Sequence, residues 1–165
     1  MTYIGIDNGV SGSIAIIKDG DLELYVPTPV KKTLNYTKAK AFITRLDGIK
    51  FKEILENCLS KDKCLAVIER PMLMPGRWKA SVSAIRCDES QRNIFEILKV
   101  PFRYIDSKEW QRDSKLGKGM LPSGLEKQEL KIASCQVGKQ LFPQAKIKKD
   151  ADALLIAEFA RRNNL

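Results

Sequence analysis

The chain has 165 residues, the size of one globular domain and too few for two well-cored ones. A domain of this length buries roughly 70% of the surface its unfolded chain exposes, so it needs no disulfide or metal staple. Lys and Arg number 29 against 20 Asp and Glu, a net charge of +9. Such an excess selects a polyanionic partner, nucleic acid first and an anionic membrane surface second. The sequence contains no histidine, which excludes Ser-His-Asp and Cys-His catalysis, Cys2His2 zinc fingers and nucleases with a histidine base. Hydrolytic chemistry must then rest on carboxylates, lysines, metal-bound water or backbone donors. No apolar run approaches the ~20 residues of a membrane span, and no basic-then-apolar leader opens the chain. An intracellular protein without membrane association is expected. Cys58, Cys64, Cys87 and Cys135 contain no C-x-x-C pair and are expected as reduced, mostly buried thiols.

In chain order, residues 2–7 read as a strand ending in an acid, followed by the glycine-bearing turn Asn8-Gly9-Val10-Ser11-Gly12-Ser13. A second strand, Ile14–Ile17, meets Asp19-Gly20, a two-residue hairpin signal, and Leu22, Leu24 and Val26 alternate with polar residues in a third. Pro27 and Pro29 end this antiparallel meander. From Tyr36 to about Leu59 the spacing predicts helix, with Ala39, Phe42, Ile43 and Leu46 on one face and Phe51, Ile54, Leu55 and Leu59 following. The continuous apolar run Cys64–Ile68 predicts a central strand covered on both faces, closed by Glu69 and stopped by Pro71. Helix is predicted over Ser81–Leu98 with Ile85, Ile94, Phe95 and Leu98 inward, then a fifth strand Phe102–Ile105, and helices over Glu126–Phe142 and about Asp150–Arg162. The order describes one α/β domain spanning 1–165: a mixed five-stranded sheet, antiparallel in its first three strands and then parallel, with helices on both faces.

Three carboxylates stand where folding alone would not put them. Asp7 ends the first strand, Glu69 ends the most apolar one, and Asp152 shares a helical stripe with Leu155, Ile156 and Phe159. Singly, each has an ordinary explanation: a turn cap for Asp7, a pair with Arg70 or a neighbouring lysine for Glu69, the positive end of a helix for Asp152. Together, three acids at one core edge repel, and each costs several kcal/mol to desolvate unpaired. A divalent cation removes that repulsion. Oxygen ligands suit Mg2+, with Mn2+ as a substitute, and two ions about 3.5–4 Å apart serve phosphodiester hydrolysis without a protein base or an organic cofactor.

At these residues the sequence resembles a known family. Ile4-Gly-Ile-Asp-Asn-Gly-Val-Ser-Gly-Ser-Ile-Ala-Ile-Ile17, Leu65-Ala-Val-Ile-Glu-Arg-Pro71 and Asp150-Ala-Asp-Ala-Leu-Leu-Ile-Ala157 are similar, in order and spacing, to the RuvC-type Holliday-junction resolvases, the phage and poxvirus branch more than the bacterial enzyme. The resemblance implies a ribonuclease H-like fold, a homodimer, and Mg2+-dependent nicking of four-way DNA junctions, in a bacterial cytoplasm if the chain is phage-encoded. By position it makes Asp7, Glu69 and Asp152 catalytic metal ligands. Leu130-Lys-Ile-Ala-Ser134 resembles the family's lysine-bearing helix, which nominates Lys131 as the cation near the scissile phosphate. One departure stands out. The family's last two acids lie three residues apart, which puts Lys149 where an acid belongs; the nearest acid is Asp150. Residues i and i+2 do not share a helix face, so Asp150 joins the site as a fourth ligand only if the helix begins at or after it.

Residues 108–149 hold ten Lys or Arg and four acids, a local net charge of +6. Lys115, Lys118, Lys127, Lys148 and Lys149 are the candidate DNA-binding cations there, and the alternative is a solvated face that aids solubility. Met72-Leu-Met-Pro-Gly-Arg-Trp78 is too apolar for an idle loop. Either it packs in a dimer core or Met74, Arg77 and Trp78 contact DNA, an apolar side chain wedging between bases; Trp78 and Trp110 equally fit ordinary core. The functional expectation is a metal-dependent, structure-selective DNA endonuclease that resolves four-way or other branched junctions by paired nicks. A ribonuclease on hybrids or structured RNA and a non-catalytic basic DNA-binding protein are the alternatives. An actin-like kinase needs two subdomains that this length does not supply.

Overall fold

The computed structural model describes residues 1–36, 40–58, 63–113 and 126–165. Its main sheet has five strands: β1 (Thr2–Asp7), β2 (Ser13–Lys18), β3 (Asp21–Pro27), β6 (Cys64–Glu69) and β7 (Phe102–Ile105), in the order β3-β2-β1-β6-β7. The first three pair antiparallel, while β6 runs parallel to β1 and β7 parallel to β6. This is the mixed sheet predicted. Asp19 and Gly20 form the turn between β2 and β3 with φ of 52° and 103°, the left-handed pair a two-residue hairpin requires.

Strand alternation sorts the core into two layers. Ile4, Ile6, Ile14, Ile16, Ala66 and Ile68 face Phe51, Leu55, Ile94 and Phe95, which come from α1 (Gly48–Cys58) and α2 (Trp78–Ile97). Tyr3, Ala15, Ile17 and Val67 face the other way, toward α5 (Asp152–Arg162), Trp110 of α3 (Ser107–Gln111) and the residues packed beside α4 (Lys127–Leu141). Each isoleucine fully withdrawn from water contributes roughly 1.5–3 kcal/mol. α5 meets the sheet at Gly5. A Cβ there would stand 2.1 Å from Ala153 O and 2.5 Å from Ala157 N, so α5 lies directly on the backbone of β1.

Four expectations are corrected. The helix predicted from Tyr36 is instead a separate hairpin, β4 (Val30–Leu34) with β5 (Phe42–Leu46), followed by α1. The β-branched residues Val30, Thr33, Ile43 and Thr44 pair across it, and Phe42, expected inward, is 70% exposed; Ala39 and Leu59 lie outside the described residues. The second long helix begins at Trp78, a turn before Ser81, and Ile85 is exposed rather than inward. The final helix is buried almost all round, Ala153 and Leu154 as completely as Leu155 and Ile156, because it is sandwiched between the sheet and α4. Of the cysteines only Cys87 is buried; Cys58, Cys64 and Cys135 are half-buried free thiols. No described helix is long and apolar enough to cross a membrane.

Candidate active site

The C-terminal ends of β1 and β6 open into a cleft of about 630 Å³. Asp7 leaves β1 into it, Glu69 leaves β6, and Lys131 reaches it from α4. α5 begins at Asp152, so Asp150 precedes the helix and is free to turn inward; it is 4% exposed. Carboxylate oxygens of Asp7, Asp150 and Asp152 lie within 4.8 Å of one another. Glu69 stands outside that trio, in the wall of the same cleft.

Three of the four acids are held by a neighbour. Ser134, one helical turn after Lys131 and on the same face, donates its hydroxyl to Asp152 Oδ1 at 2.6 Å and accepts from Ala151 N–H at 2.9 Å. Trp110 Nε1 donates to Glu69 Oε1 at 3.3 Å. Lys131 Nζ lies 2.9 Å from Asp150 Oδ2, and the Tyr25 hydroxyl donates to the Asp150 carbonyl. Lys149 Nζ donates to Ser11 O at 3.1 Å, so the lysine at the departing position faces the turn after Asp7. Asn8 borders the cleft with both side-chain polar atoms buried and unbonded to the protein.

Electrostatics follow from burial and crowding. Burial, then Asp152, Glu69 and Asp150, hold the Asp7 carboxyl well above the usual carboxylate range against a smaller opposing pull from Lys149. Burial and the charge of Asp152 raise Glu69 to about 7 despite the indole bond. Burial raises Asp152 as well, opposed by the Ser134 bond. Burial pulls Lys131 down, but its bond to Asp150 and the surrounding acids outweigh that and raise it. Carboxylates that crowd at this cost are displaced in the direction a nearby cation reverses.

Of the remaining candidates, Met74 and Arg77 border the cleft, and Trp78 is 72% exposed at the start of α2. Lys148 is exposed. Lys115 and Lys118 lie outside the described residues, as does the side chain of Lys127. A second, shallower depression of about 660 Å³ runs along α4 and shares Lys131 and Lys149 with the cleft. Sequence reasoning missed Asn8, Ser134 and Trp110. Only Ser134 carried a signal, the i, i+3 spacing from Lys131 that puts both on one face.

No family model matches the sequence, and no curated protein matches it significantly. Among solved structures, the chain is similar to T. thermophilus RuvC in complex with Holliday junction substrate, with a TM-score of 0.64 and 14% identity, covering 99% of this chain and 94% of that one. It is also similar to a Thermus thermophilus RuvC structure, with a TM-score of 0.56 and 13% identity, covering 99% and 97% respectively. The strand order, the helices on both faces and near-complete coverage of both chains agree: this protein has the RuvC-type, ribonuclease H-like fold.

Proposed function

We propose that the protein is a divalent-metal-dependent endonuclease of branched DNA that cuts four-way junctions by paired nicks as a homodimer. The observation that carries this reading is the convergence of Asp7, Asp150 and Asp152 within 4.8 Å in a cleft that also holds Glu69 and Lys131. An all-carboxylate donor set fits Mg2+ or Mn2+ and no softer metal. The raised carboxyls and the orphaned Asn8 amide are what a cation and its water shell would satisfy. When bound, a pair of such ions supplies an activated water and stabilises the leaving oxygen of a phosphodiester.

Asp7, Asp150 and Asp152 would hold the metal, with Glu69 of β6 as the fourth acid of the set. Ser134 and the Trp110 indole each hold a carboxylate oxygen, of Asp152 and of Glu69, which limits reorganisation as the substrate arrives. Lys131 exchanges Asp150 for a non-bridging oxygen of the scissile phosphate. Arg77, Lys148 and Lys149 take neighbouring phosphates, with Lys115, Lys118 and Lys127 as further DNA-binding cations. Met74 and Trp78, with the exposed Met72, Leu73 and Ile85, serve the junction centre and the dimer contact. Two sites related by a two-fold axis cut strands of matching polarity.

The fold shared with a protein solved on Holliday junction substrate supports branched DNA over the ribonuclease reading. The test is one gel series comparing a labelled four-way junction, an RNA–DNA hybrid and a linear duplex with Mg2+. The junction is expected to be cut in strands of like polarity, and Asp7→Asn and Glu69→Gln to bind it without cutting. Preferential hybrid cleavage establishes the ribonuclease; binding with no nick at any Mg2+ concentration establishes a non-catalytic protein.

A further inference from the structure

The β4–β5 hairpin leaves the sheet at its catalytic edge. Asp7, Ser13 and Pro27 form one row across β1, β2 and β3, and β4 begins three residues after Pro27. Thr28 N–H donates to Gly12 O at 3.0 Å and Asp47 N–H to Pro29 O at 2.9 Å, closing the base. Beyond that base the two strands pair only with each other.

Their register puts Val30, Lys32 and Leu34 on the same face as Leu46, Thr44 and Phe42; Tyr36 and Lys40 lie just beyond the paired residues, Lys40 with a left-handed φ of 44°. Apart from Leu46 this face is open to solvent: Leu34 is 57%, Phe42 70% and Tyr36 84% exposed. Tyr36 is nonetheless anchored. The Arg86 guanidinium of α2 lies 5.5 Å from its ring centre and donates to its hydroxyl at 3.1 Å. From Thr28 to Leu46 there are five Lys or Arg and no acid. Lys31 stands directly opposite Arg45, a like-charge pair that weakens a hairpin. Lys31 has Asp47 at 3.8 Å, whereas Lys32, Lys40 and Arg45 are exposed and form no ion pair among the described residues.

We propose that this face is a second nucleic-acid contact, in which Tyr36 and Phe42 stack unpaired bases and Lys32 and Lys40 take the flanking phosphates. Aromatic planes between cations bind single-stranded nucleotides whatever their sequence. A second copy of the hairpin would set one basic ribbon against another, so the charge favours a polyanion over self-association. The inference rests on the branched-DNA reading and assigns this surface the opened bases at the branch rather than the duplex arms.

The test uses the full chain without metal, on a four-way junction carrying 2-aminopurine at the branch and on a fully paired duplex. Tyr36→Ala with Phe42→Ala should weaken junction binding ten-fold or more and abolish the change in 2-aminopurine fluorescence, while duplex affinity stays within two-fold. Tyr36→Phe should retain both. Lys32→Gln with Lys40→Gln should flatten the salt dependence by ~0.9 log unit for each phosphate no longer neutralised. Unchanged fluorescence and affinity in the aromatic double variant overturns the proposal. So does a change from dimer to monomer in light scattering, which would make the face an interface between copies. Should the wild type fail to bind junctions, the branched-DNA reading fails separately. Binding of single-stranded oligothymidylate then decides the hairpin: weaker binding by the double variant supports it, equal binding overturns it.

Discussion

Lys131 Nζ lies 2.9 Å from Asp150 Oδ2, tying a half-exposed cation on α4 to a carboxylate that is only 6% exposed beside Asp7 and Asp152. In the metal-free protein this lysine offsets part of the charge that the trio accumulates. On the proposed reading, the same amine would take a phosphate oxygen of the bound substrate. It would, on that reading, compete with a metal for Asp150 and assist the chemistry that the metal would support.

Two opposite effects are expected of Lys131→Met. Removing the competitor should tighten Mn2+ binding several-fold, measured by calorimetry without DNA. Junction cleavage should fall by roughly 10²-fold, the scale of losing one preorganised donor to a developing charge. Parallel loss of metal binding and cleavage would mark Lys131 as a structural tie only.

Crowding at Asp7 is a cost to the metal-free fold. Its carboxyl is buried and repelled by Asp152, Glu69 and Asp150, so Asp7→Asn should stabilise the protein in EDTA while abolishing cleavage. A gain of about 1 kcal/mol raises Tm by ~2–4 °C in a domain of this size. Saturating Mg2+ should shrink the difference, because it stabilises the wild type alone. A variant that melts lower than wild type in EDTA contradicts the electrostatic account.

Glu158, 2% exposed on α5, accepts from Arg161 at 2.7 Å and 2.8 Å and also from Arg162. Burial alone would raise its carboxyl, yet the two arginines hold it below its ordinary value. A carboxyl depressed in the folded state stabilises the fold above its unfolded pKa of about 4.3, and that stability is lost as pH falls through the folded value. Glu158→Gln should cost about 1–2 kcal/mol near neutrality, because both arginines reach solvent. The Tm gap to wild type should close only below about pH 4.

The contact of α5 with β1 tolerates no side chain at residue 5. Gly5→Ala would drive a methyl group into Ala153 O at 2.1 Å and Ala157 N at 2.5 Å. Lifting the helix should destabilise by ~3 kcal/mol or more and carry Asp152 away from Asp7. Gly76→Ala meets nothing within 4 Å and should melt within about 0.5 kcal/mol of wild type. Urea denaturation of both variants separates the two cases.

The meander, the central strand and the closing helices were legible because each rests on local pattern. Ile14–Ile17 and Cys64–Ile68 are runs that only a doubly covered strand buries, and Asp19-Gly20 has the backbone freedom a two-residue turn demands. Asp7 and Glu69 were readable as strand-terminal acids for the same reason. The β4–β5 hairpin was not, since Ala39, Phe42, Ile43 and Leu46 fit a helical period and the competing ladder depends on a partner strand eight residues away. Whether Asp150 faces the cleft turned on where α5 begins, which no periodicity of the chain specifies. Ser134 beneath Asp152 and the Trp110 indole on Glu69 are contacts between elements 18 and 41 residues apart. Local preference decides which strands and helices form; packing decides which of their side chains meet, because residues distant in the chain become neighbours only when the two layers close on the sheet.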